Sequence, residues 1–185
     1  MTRMTKLLLL AAFSTITMGV GMPVTANSTV TIPDPEITFH GTVLARACDI
    51  APESLAQSVD MGTVVIKSLY RYEHDVAKLF HINLTNCKTD VYKTATVTFT
   101  GTEDRELTGC LAVNNGANGV GICIMHEGPG AHIDLGKPSR ASILSNGTNT
   151  LKFLALMVAH PSALKNRSIT EGEFSSIANF VISYQ

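Results

Sequence analysis

The side chains that could do chemistry are six histidines, His40, His74, His81, His126, His132 and His160, and four cysteines, Cys48, Cys87, Cys110 and Cys123. His126, His132 and Asp134 can be drawn together as a metal site or an acid–base group. Their spacing matches no ligand motif, and they flank a Gly128-Pro129-Gly130 turn, so they read as residues of a surface loop. No G-x-S-x-G elbow occurs, and no nucleophile sits in a recognisable setting, so no catalytic residues are expected. None of the cysteine spacings is C-x-x-C, and no histidine lies close to a cysteine pair. That argues against a metal, and nothing implies a cofactor. An even cysteine count instead predicts two disulfides in an oxidising compartment. Four cysteines allow three pairings, and their spacing does not choose among them.

The compartment is indicated by the start of the chain. Arg3 and Lys6 precede the apolar run of Leu7, Leu8, Leu9, Leu10, Ala11, Ala12 and Phe13. Val24 and Ala26 occupy the −3 and −1 positions of a cleavage site, which is the layout of a secretory signal peptide over residues 1–26. Ser14, Thr15, Thr17 and Gly19 interrupt the apolar run, which leaves it too short for a membrane anchor. Cleavage after Ala26 leaves 185 − 26 = 159 residues, a length that suits one domain with a proper core. Both leader cations are lost with it, so the charge becomes (14 − 2) − 15 = −3. A general nucleic-acid binder would show a basic excess instead.

The elements that must position these residues are strands. Residues 27–36 are polar and contain Pro33 and Pro35, which exclude helix. A period-2 pattern then begins, with Ile37, Phe39, Gly41 and Val43 on one face. Further strands are expected at Val59 to Ile66, at Phe80, Ile82 and Leu84, at Val97 and Phe99, and over 119–124. Residues 151–158 are apolar on both parities, which predicts a central strand buried on both faces. Residues 67–79 lack alternation and read as a loop or a short helical turn. A last strand is expected over 174–184, with Ala178, Phe180, Ile182 and Tyr184 on one face. Turn clusters such as Asn114-Asn115-Gly116 and Asn146-Gly147-Thr148 separate these runs, and together they predict an all-β sandwich. The closing apolar strand needs a neighbour to cover it and no further strand follows it in the sequence, so the pattern leaves two readings open: an internal strand covers it, as in a complete sandwich, or the cover comes from another chain.

The sequence resembles the pilin subunits of chaperone–usher fimbriae, of the type 1 and P pilus kind, over nearly all of the mature chain. Ile37-Thr-Phe39-His-Gly41-Thr-Val43 and Ala47-Cys48 match the family's amino-terminal extension and first cysteine. Leu84-Thr85-Asn86-Cys87 matches the strand with the second cysteine, and Val97-x-Phe99-x-Gly101, Gly119-Val120-Gly121-Ile122 and Leu151-x-Phe153-x-Ala155 match internal blocks. Glu171-Gly172-x-Phe174 and Ala178-x-Phe180-x-Ile182-x-Tyr184 match the closing strand with its penultimate tyrosine.

The resemblance implies an incomplete immunoglobulin-like sandwich that lacks its final strand, with an extension at 27–46 and a pilin domain at 47–185. Ile37, Phe39, Gly41 and Val43 would be the donor strand that completes a neighbouring subunit. Phe180, Ile182 and Tyr184 would help form the groove that accepts one. The implied partners are neighbouring pilin subunits, a periplasmic chaperone and an outer-membrane usher, with no nucleic acid. The implied destination is the cell-surface fimbrium, where the subunit supports adhesion. Burying three donor side chains is worth on the order of 5–8 kcal/mol before ordering costs. The resemblance also pairs Cys48 with Cys87. Cys110 and Cys123 have no place in the family's core pattern and would bridge each other. A tip adhesin or receptor-binding minor subunit is the alternative. A tip adhesin of the family normally carries an extra lectin domain and lacks the extension, so a fibre subunit is expected.

Overall fold

The computed structural model describes residues 38–41, 47–128, 130 and 132–185. The expected leader and the donor positions Ile37 and Val43 lie outside the described residues. The chain divides into two units, Met1–Thr42 and Val43–Gln185. In the first, residues 38–41 carry no regular secondary structure, and Phe39 is 89% exposed.

The second unit is built on two antiparallel sheets. The larger has the order β1 (Asp49–Ile50), β2 (Lys78–Cys87), β8 (Gly147–Ala159), β5 (Val120–His126), β4 (Leu111–Ala112), with β6 (His132–Ile133) also paired to β5. The smaller has the order β7 (Ser142–Ile143), β3 (Thr94–Gly101), β9 (Ala178–Tyr184). Strand β3 shows why such runs become strands. Its alternate residues Ala95, Val97 and Phe99 are buried, and the threonines between them are β-branched and tolerate the outer face of a pleat. The two sheets meet through aromatic rings. Phe99 of β3 packs edge-on against Phe153 of β8 at 5.0 Å and against Phe80 of β2 at 6.1 Å, an arrangement that ring quadrupoles favour.

Strand β8 is central, paired with β2 from Lys78↔Ala155 to Leu84↔Asn149 and with β5 from Val120↔Ala159 to His126↔Phe153. It is not buried on both faces, however. Leu151, Phe153, Ala155, Met157 and Ala159 face the core, whereas Lys152 is exposed and Leu154, Leu156 and Val158 are half-buried. The strand buried on both faces is β5, where Val120 through Ile124 are all covered. Its outer face lies under the 102–110 loop. A Cβ on Gly121 would meet Leu107 Cδ1 at 2.9 Å and Asp104 Oδ2 at 3.1 Å, so a glycine is required there.

One further expected element differs, the strand at Val59 to Ile66, whereas the helical turn allowed within 67–79 is present. Residues 57–65 form no strand, because no backbone ladder reaches them among the described residues. The stretch 67–79 contains a helix, α2 (Ile66–Tyr72), which buries Leu69 and ends on Glu73 in the left-handed region. Helices α1 (Pro52–Leu55) and α3 (Pro161–Asn166) are one to two turns long with proline at their starts, where its missing N–H costs nothing. Disulfides join Cys48 to Cys87 and Cys110 to Cys123.

Candidate functional site

Among the described residues, strand β9 has a strand partner on one edge only, β3. Thr94 and Gln185 exchange both backbone hydrogen bonds, at 2.9 Å each. Alternation along an antiparallel ladder then assigns the bonds to β3 to Asn179, Val181 and Ser183. The N–H and C=O groups of Phe180 and Ile182 therefore point to the opposite edge, where the sheet order places no further strand among the described residues. The side chains of Phe180, Ile182 and Tyr184 share the core-facing side of β9 and are half-buried, while Val181 on the other face is 60% exposed.

Beside β9 lies an apolar groove of about 1240 Å³. Two stretches wall it, residues 54–67 and 169–176, the second leading to Ala178 and Phe180 at the start of β9. Between them the floor is built from both sheets: Phe80 and Ile82 of β2, Phe99 of β3, Ile122 and Ile124 of β5, and Ala155 and Met157 of β8. Of the three predicted groove residues, Phe180 lines this cavity. Ile182 and Tyr184 lie further along the same face of β9, where the Tyr184 ring packs 6.3 Å from that of Tyr92.

Both walls follow from local chemistry. In the first, the buried Ser54 Oγ accepts a hydrogen bond from the Asn83 N–H at 2.9 Å and anchors the end of α1 to β2. Residues 57–65 follow without regular secondary structure, with Met61 buried and the Gly62 N–H donating to Asp60 Oδ1 at 2.8 Å. In the second, the backbone of 170–175 forms a short ladder with 114–118. Asn114 N donates to Ser175 O at 2.8 Å, Ser175 N to Asn114 O at 3.1 Å, Ala117 N to Glu173 O at 3.1 Å and Thr170 N to Asn118 O at 3.1 Å. The floor is apolar throughout, and the ionisable side chains of the lining, Asp60, Lys67, Glu171 and Glu173, belong to the two walls. An apolar trough bordered by an unpaired strand edge is the shape that accepts an added β-strand.

The titratable side chains lie elsewhere. His132 Nε2 sits 3.0 Å from Asp134 Oδ1, and Lys137 Nζ donates to Asp134 Oδ2 at 2.6 Å. The lysine's hydrogen bond holds the Asp134 carboxyl below the usual carboxylate range. His126 Nε2 accepts a hydrogen bond from the Arg140 N–H at 3.0 Å. Burial, and then the Arg140 charge, push its pKa down. His160 Nε2 meets the buried Asp104 Oδ2 at 2.8 Å and fastens the 102–110 loop to the end of β8. Among the described residues, no three metal-ligating side chains converge.

The model of the family described as Fimbrial protein matches residues 37–185. The chain belongs to the fimbrial protein family. Among fimbrial relatives it is 32% identical over 173 residues to the Major MR/P fimbria protein of Proteus mirabilis, covering 92% of this chain and 96% of that protein. Its fold is similar to the P pilus rod subunit PapA, with a TM-score of 0.66 and 26% identity over 76% of this chain and all of that one. It is also similar to a chain in a solved chaperone–usher pilus, with a TM-score of 0.65 and 29% identity over 84% of this chain and 99% of that one. The fimbrial fold is immunoglobulin-like, and the chain is a structural subunit of a chaperone–usher fimbria at the cell surface.

Proposed function

We propose that this subunit polymerises by donor-strand exchange, with Ile37, Phe39, Gly41 and Val43 of one copy filling the groove of the next. The observation that carries the reading is the groove itself, an apolar trough beside the unpaired edge of β9. Left open to water, such a surface is unfavourable and invites edge-to-edge aggregation. An added strand satisfies the Phe180 and Ile182 backbone groups while its alternate side chains enter the trough, so the donor needs period 2. The alternation of Ile37, Phe39, Gly41 and Val43 meets that requirement, and Phe39 is 89% exposed and available. On export, a periplasmic chaperone lends a strand to the same groove, and an outer-membrane usher exchanges it for the next subunit's extension. The assembled fibre supports adhesion.

Polymerisation of the chain in the presence of excess synthetic peptide spanning residues 35–46 tests this reading. The peptide should cap the groove and shorten the ladder of SDS-resistant oligomers. The same peptide with Asp in place of Phe39 should not. A ladder indifferent to both peptides refutes strand exchange through this groove.

A further inference from the structure

We infer that the Cys110–Cys123 disulfide is a clamp that positions one wall of the groove, so that strand acceptance depends on this second bridge as well as on the groove residues themselves. The inference deepens the strand-acceptance reading proposed above and rests on it.

The bridge closes a loop with a sequence separation of 13, and both cysteines are buried, at 2% and 5% exposure. That loop has two jobs at the groove. Its own Leu111, Ala117, Val120 and Ile122 line the cavity. Its stretch 114–118 is also the partner to which the 170–175 wall is hydrogen-bonded, through Asn114, Ala117 and Asn118. Two side chains reinforce the contact. Ser176 Oγ donates to Ala112 O at 2.8 Å, and Asn115 Nδ2 donates to Ser175 Oγ at 2.8 Å.

Apart from the bridge and the wall, the loop is held by a few backbone hydrogen bonds near its two ends, among them Ala112 N to Thr102 O at 2.8 Å and His160 N to Gly119 O at 2.9 Å. β4 contributes only Leu111↔Ile122 and Ala112↔Gly121 to the sheet. A two-residue edge pairing fixes the ends of the loop but leaves 113–119 outside the sheet ladder. The covalent link lies at the base of that ladder, since Cys110 precedes Leu111 and Cys123 follows Ile122. Position therefore passes from β5, through the bridge, to the loop, and from the loop to the wall that a donor strand must pass. The Cys48–Cys87 bridge joins the start of β1 to the end of β2 and touches none of this, so removing the second bridge leaves the first to hold the sandwich.

The test compares the oxidised full chain with a Cys110→Ser/Cys123→Ser variant by two readouts. The first is binding of a fluorescent peptide spanning residues 35–46. The second is amide hydrogen exchange. The clamp predicts peptide binding about tenfold weaker, and protection about tenfold lower at Thr170, Ser175 and Ala117, a part of the roughly hundredfold that full release of a loop of this size allows. Protection at Ile82 and Phe153 should stay as in the unmodified chain. Equal peptide affinity and equal wall protection overturn the inference, and so does a uniform loss across all strands, which marks a merely stabilising bridge. Should the double variant not fold, Ser176→Ala in the oxidised chain decides. It removes one tie between wall and loop and should lower protection at Ser175 and Ala117 severalfold, and unchanged protection there overturns the clamp. If the unmodified chain does not bind the peptide, strand acceptance itself is refuted, and the exchange comparison still reads the clamp separately.

Discussion

Replacing Gly172 with alanine should destabilise the subunit by about 2–4 kcal/mol, the sum of a strained backbone and one lost hydrogen bond. Gly172 has φ +155°, outside the range a side-chain-bearing residue adopts comfortably, which alone costs about 1–3 kcal/mol. A Cβ there would also lie 2.5 Å from the Gly116 carbonyl carbon, 2.6 Å from Ala117 N and 2.7 Å from Gly116 Cα. All three are backbone atoms, so no side chain can rotate away. Ordinary contact begins at 3.4 Å, so wall and loop must part by about 1 Å. The neighbouring bond from Ala117 N to Glu173 O, now 3.1 Å, would then be broken, at a cost of about 1 kcal/mol. Urea unfolding of the oxidised chain measures the effect as a lower midpoint at unchanged slope. Gly136→Ala is the control. Its φ is +76° and nothing lies within 4 Å of the added carbon, so it carries strain without collision. A Gly172→Ala variant within 0.5 kcal/mol of the unmodified chain, or no worse than Gly136→Ala, would show that the close approach of wall and loop does not hold the groove in shape.

Phe39→Asp should abolish fibre growth while leaving the subunit's own unfolding midpoint unchanged. It forfeits about 2–3 kcal/mol of apolar burial in the neighbour's groove and places an unpaired carboxylate there, which costs several kcal/mol more. His40→Asp, on the opposite face of the same strand, should assemble normally. Electron microscopy of both variants decides, and normal fibres from Phe39→Asp would remove that residue from the donor strand. Stability should also fall between about pH 6.5 and mildly acidic pH through His126. Its folded pKa is depressed, so in that window the unfolded chain binds more protons, and acid favours unfolding. His126→Gln should flatten the dependence of the urea midpoint on pH across that window, and identical slopes would contradict this origin.

The sandwich was legible because period 2 is a local signal. Val97 and Phe99 among threonines declare a strand with one apolar face wherever it sits, and Phe180, Ile182 and Tyr184 on one parity do the same despite Val181 on the other. The pattern does not declare a partner. Val59, Met61 and the β-branched run Thr63 to Ile66 pass for a strand by composition, and Met61 is indeed buried, but the backbone of 59–64 joins no ladder among the described residues. The same limit hid which strand is covered twice. Residues 151–158 are apolar on both parities, yet the 102–110 loop lies over β5 instead. What covers a face depends on contacts distant in sequence, as between Leu107 and Gly121. The His160–Asp104 contact spans 56 residues and belongs to no motif, so nothing local announces it. The second groove wall was half visible. Glu171-Gly172-x-Phe174 stood out as a block, but its backbone attachment to 114–118 did not.

The Cys48–Cys87 bridge gives the domain a mechanical character. A pull on the chain ahead of Ala47 reaches Cys48 first and crosses the covalent link into the end of β2. The two short pairings of β1, Asp49↔Thr85 and Ile50↔Leu84, are thereby spared the load. Tension instead enters β2 lengthwise, along its ladder with β8 from Leu84↔Asn149 to Lys78↔Ala155. A ladder pulled along its strands shares the force among all its hydrogen bonds, whereas one peeled from an end breaks them singly. An oxidised subunit therefore resists drag with its longest strand pair, and a reduced one meets the same drag with its shortest.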